Sequence, residues 1–243
     1  MITVKGLKKS FGDVKALEDV SFHIDRGEIV ALLGGNGSGK STSINILTGL
    51  LKADQGTVDI QGIDPFKQPI KARKKLGVFP DKAGLFPHLT VREHLNFFAS
   101  VHGISGKALG LAVDKVIDML DMQPIADRLT KGFSHGQTVK VALARSMVHS
   151  PDYLIMDEPS RGLDVFALRQ LRDLLKRLRD TGTGILFSSH VMQEIEILAD
   201  RLAIIADGTV CAEGSVADLK KLAGKPSLED SFMVLVEKGE RRV

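Results

Sequence analysis

Residues 28–42 read EIVALLGGNGSGKST. Glu28 to Leu33 reads as a strand, it ends in a glycine-rich turn, and Ser41 to Leu51 reads as a helix. Strand, glycine loop and helix in that order are the setting a phosphate-binding loop requires. Small residues let backbone N–H groups point inward at phosphate oxygens, and the helix N-terminus adds partial positive charge. Gly34, Gly39, Lys40 and Ser41 stand at the motif's spacing, with Gly35, Asn36, Gly37 and Ser38 between them. Lys40 is the candidate for reaching β and γ phosphates. Ser41 is the candidate for placing its hydroxyl on Mg²⁺, an ion that takes oxygen ligands and keeps several waters. Thr42 is the candidate for a neighbouring phosphate. A glycine turn without a ligand is the alternative, and the correctly placed strand and helix count against it.

Working outward, Ile2 and Val4 begin a strand, and Val20, Phe22 and Ile24 alternate with Ser21, His23 and Asp25 before a turn at Gly27. Short strands are expected at 56–60 and 77–79, then helices at 90–101 and 108–120, so that a helical insertion occupies roughly 88–148. Strands return at 153–156, 184–187 and 202–206 with helices between them, the pattern of an α/β fold. Leu168, Leu171, Leu175 and Leu178 form one stripe, with Arg169, Arg172, Lys176 and Arg179 largely off it; this reads as a core stripe beside a solvated face rather than a nucleic-acid helix.

Composition narrows the class without naming a partner. The 243 residues, 43% hydrophobic and 26% charged, suit one compact unit, and a net charge of +3 from 33 basic and 30 acidic residues is no nucleic-acid footprint. Cys211 is alone and has no internal disulfide partner, and the chain after Met1 lacks a basic-then-apolar leader; a reducing, cytosolic location is expected. No window approaches 18 apolar residues, so any membrane role must run through a partner.

A second constellation is YLIMDE at 153–158, an apolar strand that delivers two adjacent carboxylates at its end. Ligands sit at the carboxyl ends of parallel strands. Asp157 is suited to hold Mg²⁺ through water, and Glu158 to polarise an attacking water as general base.

Ahead of that strand stands FSHGQ, Phe133 to Gln137, at the spacing of a signature motif, and with it the chain resembles the nucleotide-binding subunit of ABC transporters over essentially its whole length. GGNGSGKST corresponds to Walker A, YLIMDE to Walker B, GLD at 162–164 to the D-loop, and His190 after ILFSS to the switch histidine. The resemblance implies a P-loop NTPase (RecA-like) core with an antiparallel β subdomain and an inserted α-helical subdomain. The nucleotide-binding domain would take residues 1–213, its core and β lobe about 1–87 and 149–213, its helical subdomain about 88–148, and a helical extension 214–243. It also implies two ATP molecules sandwiched in a head-to-tail dimer with a second copy or a homologous ATPase. Ser134, Gly136 and Gln137 would then cap the nucleotide on the partner, and Asp164 would organise the interface. His190 would contact the γ-phosphate, and Phe11 would stack on adenine unless it is simply buried.

Two positions depart from the family pattern. His135 stands where glycine is usual and reads as a satisfied surface histidine. Asp81 stands at the Q-loop glutamine, and as a shorter, anionic side chain it is expected either to bind Mg²⁺ only through water or to respond differently to metal and pH, while still coupling the site to a membrane subunit. Phe79, Leu85, Phe86, Phe97 and Phe98 cluster where the family receives its permease's coupling helix, although packing between lobes explains the same residues. The tail SLEDSFMVLV, from Ser227, opens with a capping pattern and puts Leu228, Phe232 and Leu235 on one helical face, as in ABC-2-type exporter ATPases. The Pro80-Asp81 pair followed by GLFPHLTVREHL looks most like the sodium-extruding branch of that group.

The expectation is therefore an ATPase at the cytoplasmic face of the membrane, held there by an integral membrane permease, with no cargo site of its own and no nucleic-acid partner. A soluble ABC ATPase of iron–sulfur assembly or DNA repair would carry a coiled-coil insertion or added cysteines, and neither is present. A non-hydrolytic binding module is disfavoured by Glu158, and a translation factor by the presence of a single cassette.

Overall fold

The computed structural model describes residues 1–82 and 84–240. Its elements run β1 (Ile2–Phe11), β2 (Val14–Ile24), β3 (Ile29–Leu33), α1 (Lys40–Leu47), β4 (Gln55–Ile60), α2 (Pro69–Lys75) and β5 (Leu76–Phe79). There follow α3 (Val91–Val101), α4 (Lys107–Met119), α5 (His135–Met147), β6 (Tyr153–Met156), α6 (Val165–Asp180) and β7 (Gly184–Ser189). The chain then forms α7 (Met192–Leu198), β8 (Arg201–Ala206), β9 (Thr209–Gly214), α8 (Val216–Ala223) and α9 (Leu228–Glu240).

The strands form one sheet in the order β4-β1-β2-β9-β8-β3-β7-β6-β5. Its two halves obey different rules. In β1 and β2 apolar residues alternate with polar ones, and the two pair antiparallel with Ile2 opposite Ile24 and Val4 opposite Phe22, as a half-buried sheet requires. By contrast β3 (IVALL) and β6 (YLIM) are apolar throughout and wholly buried, because the parallel set β8-β3-β7-β6-β5 has both faces covered. Ile29, Ala31 and Leu33 face one apolar layer with the insertion, and Val30 and Leu32 face the other with α1. The halves meet at one bridge, Asp19 to Thr209, beside the Asp207–Gly208 turn.

The insertion leaves after β5 and returns at β6, and these are neighbours in register from Leu76↔Tyr153 to Phe79↔Met156. Its first helix, α3, starts on a capping box: Thr90 accepts from the Glu93 N–H and Glu93 accepts from the Thr90 N–H. In the tail, Ser227 caps α9 by accepting from the Asp230 N–H at 3.0 Å, and Leu228 and Leu235 join the main core.

Four elements differ from the sequence reading, the first being α2, which was not foreseen. Helix α1 stops at Leu47 rather than Leu51, because Gly49 adopts a φ of 72° and Thr48 donates its hydroxyl to the Ile44 carbonyl. β2 begins at Val14, on residues that are exposed and gave no apolar alternation. β9 was not foreseen; its residues are mixed in polarity and none is fully buried, yet Asp207 and Gly208 at φ 44° and 72° make a two-residue hairpin turn to β8.

Candidate active site

The carboxyl ends of four adjacent strands, β3, β7, β6 and β5, deliver the site. Beyond Leu33 the loop passes so close to β8 that a side chain at Gly34 would collide with the Ile205 carbonyl. Gly39 has φ 106°, and a Cβ there would sit 2.5 Å from Leu17 Cδ2 and 2.8 Å from the Ala16 carbonyl. Gly39 is also the N-cap of α1 and offers no side-chain cap, which leaves the helix's first amides to an external acceptor.

Lys40 is 7% exposed, and its ammonium folds back to donate to the carbonyls of Gly34 at 2.8 Å and Gly35 at 2.9 Å. Burial pushes its pKa down, while the charges of Glu158 and Asp157 oppose that shift. The Ser38 hydroxyl is buried without a hydrogen-bond partner among the described residues. An orphaned donor beside a buried cation is costly by itself and matches an anionic, oxygen-rich ligand.

Asp157 and Glu158 follow β6 directly. The Asp157 N–H donates to the Phe79 carbonyl at 2.9 Å, tying it to the end of β5. Glu158 takes a left-handed backbone, φ 50°, at a cost of roughly 1–2 kcal/mol for a non-glycine residue. Ser188 at the end of β7 holds both: its hydroxyl donates to Asp157 Oδ1 at 2.6 Å and accepts from the Glu158 N–H at 2.9 Å. The turned backbone brings the Glu158 carboxylate to 2.9 Å from His190 Nδ1, itself just past β7.

Asn36 to Thr42, Asp81, Asp157, Glu158, Arg161 and His190 together line a cavity of about 480 Å³. Asp81, two residues past β5, accepts from Arg161 Nη1 at 3.1 Å. Ser41, Asp157 and Asp81 all present hard oxygen donors to this space, a set that fits Mg²⁺. Ser188 and Arg161 were missed by the sequence reading. Ser188 lay within the quoted ILFSS, and Arg161 lay just ahead of GLD.

The remaining expected residues lie outside that cavity. Ser134 caps α5 in a capping box, accepting from the Gln137 N–H at 3.3 Å while Gln137 Oε1 accepts from the Ser134 N–H at 3.0 Å. Gly136 stands in the same first turn, and Asp164 caps α6 by accepting from the Ala167 N–H at 2.8 Å. His135 is exposed and satisfied, its Nε2 lying 2.9 Å from the Arg161 carbonyl. Phe11, at the end of β1, is 51% exposed with Lys9 Nζ 5.6 Å from its ring centroid, so it is not core.

A phosphate loop at the end of a parallel strand, with a carboxylate pair on the next strand but one, defines the P-loop nucleotide-binding class. The family profile described as ABC transporter matches residues 17–161. The chain is 34% identical over 244 residues to the ABC transporter ATP-binding protein NatA of Bacillus subtilis (strain 168), covering 98% of this chain and 99% of that one. It is 36% identical to the Nod factor export ATP-binding protein I of Burkholderia lata, over 88% of this chain and 70% of that one. A solved ATP-binding subunit of an ABC transporter superposes with a TM-score of 0.89 at 31% identity, over 97% and 99% of the two chains. A dimeric ATP-binding cassette in a post-hydrolysis state with ADP and Pi gives 0.79 at 27% identity, over 89% and 99%. The chain belongs to the ABC transporter family, as an ATP-binding, ATP-hydrolysing subunit.

Proposed function

We propose that this chain is the ATPase engine of an ABC-2-type exporter, working as a head-to-tail dimer on a separate integral membrane permease at the cytoplasmic face. The observation that carries the reading is the convergence of Lys40, Asp157, Glu158 and His190 on one cavity at the ends of adjacent parallel strands. Residues 1–213 would form the cassette and 214–243 its extension. Among the described residues no helix is long and apolar enough to cross a membrane, and the load is assigned to a second protein.

Within the cavity Lys40 exchanges its two loop carbonyls for β- and γ-phosphate oxygens, and the loop amides bind the same oxygens at no further cost in reorganisation. Asn36 to Ser38 and Thr42 complete the cradle. Ser41, Asp157 and Asp81 would hold Mg²⁺, which when bound would neutralise charge on the phosphates. Glu158 takes the proton of the attacking water, and its left-handed backbone and the Ser188 bond fix the direction from which it does so. His190 steadies the carboxylate on one side and faces the γ-phosphate on the other. Phe11, exposed and apolar, is free to stack on adenine. Ser134, Gly136, Gln137 and Asp164 complete the site of the second copy, which agrees with their lying outside the cavity of their own chain.

Of the aromatic cluster, Phe79 is buried and Leu85 packs on the core, whereas Phe86 and Phe97 are 47% and 50% exposed on the insertion. Those two rings, 5.7 Å apart and edge to face, are the surface we assign to the permease's helix.

Glu158→Gln keeps the side chain's shape and removes the base. It is expected to bind Mg-ATP within about threefold of the parent, to lose at least about 100-fold in turnover, and to elute as a dimer with Mg-ATP. Carried into detergent-solubilised native membranes as bait, it is expected to recover a multi-spanning protein. Unchanged turnover would overturn the base assignment, and recovery of soluble partners alone would favour a soluble ABC ATPase.

A further inference from the structure

We propose that Arg161 is the counter-ion of Asp81 and that this pair sets the site's demand for its divalent cation: the guanidinium holds the Asp81 carboxylate, and Mg-nucleotide must displace it. The inference rests on the reading that Asp81 faces the cation.

Arg161 lies in the loop between β6 and α6 and is held at its backbone end only. Its N–H donates to the Glu158 carbonyl at 3.2 Å, and its own carbonyl meets His135 Nε2 at 2.9 Å. The ring of His135 also packs on Gly162, so the residue that departs from the signature pattern pins this loop to the start of α5. Beyond that anchor the side chain is 67% exposed and reaches across the cavity mouth to Asp81, whose side chain is 34% exposed. It lines the phosphate cavity and also the adjoining one of about 450 Å³ formed with Phe79, Thr138 and Val139.

The cavity contains three carboxylates, and each has a different partner. Asp157 has the Ser188 hydroxyl, Glu158 has His190, and Asp81 has the one permanently charged group. A carboxylate shared between a guanidinium and a divalent cation puts two positive centres within a few ångströms of each other, so the two compete. An exposed pair is weak enough to lose that competition when Mg-nucleotide arrives. The released guanidinium then faces the phosphates as a second cation beside Lys40. Glutamine at this position would need no counter-ion, so Asp81 and Arg161 make sense as a pair.

The test measures binding of a fluorescent ATP analogue to the full chain, with EDTA and across a Mg²⁺ titration, for the parent, Arg161→Ala, Arg161→Lys, Asp81→Asn and the Asp81→Asn/Arg161→Ala double variant, each checked by thermal melt. Arg161→Ala is expected to lower the Mg²⁺ half-saturation roughly threefold or more and to weaken binding in EDTA by a similar factor. Arg161→Lys is expected to stay near the parent. In the Asp81→Asn background the effect of Arg161→Ala on the Mg²⁺ curve is expected to vanish. A Mg²⁺ half-saturation for Arg161→Ala equal to the parent's, with Asp81→Asn shifted, overturns the pairing alone. An unshifted Asp81→Asn overturns the placement of Asp81 near the cation, while the hydrolysis assigned to Glu158 still stands on its own variant.

Discussion

The hydroxyl of Ser188 donates to Asp157 Oδ1 and accepts from the Glu158 N–H, so one side chain fixes the two carboxylates that follow β6. Removing a hydrogen bond to a charged group costs about 1.5–3 kcal/mol. Ser188→Ala is therefore expected to lower kcat roughly 10- to 100-fold with nucleotide affinity little changed, measured by steady-state ATPase and analogue binding; an equal loss of affinity would place Ser188 in ground-state binding instead. At this scale the sequence was readable where chemistry dictates spacing. Lys40 and Ser41 are bound to the glycine loop by the motif, and Asp157 and Glu158 are adjacent at a strand end. Ser188 and Arg161 were not readable, because their roles depend on contacts 31 and 80 residues away in sequence, which only the pairing of β6 with β7 and β5 brings about.

In helix α3, His94 serves as an aromatic filler. It is fully buried between Phe86 and Phe98, with ring centroids at 5.4 and 4.9 Å, and neither nitrogen has a partner among the described residues. Burial, aided by the positive charge of Arg145, pushes its pKa down from 6.5 to about 4. The folded protein thus keeps this histidine neutral where the unfolded chain would protonate it. Its contribution is complete above about pH 6.5 and is lost as pH falls towards 4. His149, just past α5 and stacked on His102 at 3.6 Å, is held down to about 4 mainly by its burial and adds to the same loss. The Tm is expected to fall between pH 7 and pH 5, and His94→Phe, which keeps an aromatic ring and removes the proton site, is expected to shrink that fall; an identical pH profile would show that the helix opens before His94 titrates. The insertion's helices were readable from their spacing and from the Thr90–Glu93 cap. β9 escaped because its residues are neither apolar nor alternating, although the Asp207–Gly208 pair was the available signal.

Across the whole molecule one sheet serves two purposes, its parallel half carrying chemistry and its antiparallel half extending the core beneath β1, β2 and β4. The C-terminal helix belongs to this body, since Leu235 is 4% exposed and sits in the same core as β8. Leu235→Ala is expected to cost roughly 2–4 kcal/mol, and to lower Tm by about 2–4 °C for each kcal/mol. A change below about 1 °C would mean that the helix is only loosely docked. The division into α/β core and helical insertion was visible from the order of periodicities; that β5 and β6 lie side by side was not, because nothing local records which strand will be a neighbour. Their adjacency has a consequence for inheritance. These two strands keep their register whatever length of chain separates them, so helices α3 and α4, which lie between Asp81 and Ser134, can be exchanged, lengthened or redirected from one lineage to the next while the strand ends that carry Lys40, Asp157 and Glu158 pass on unaltered.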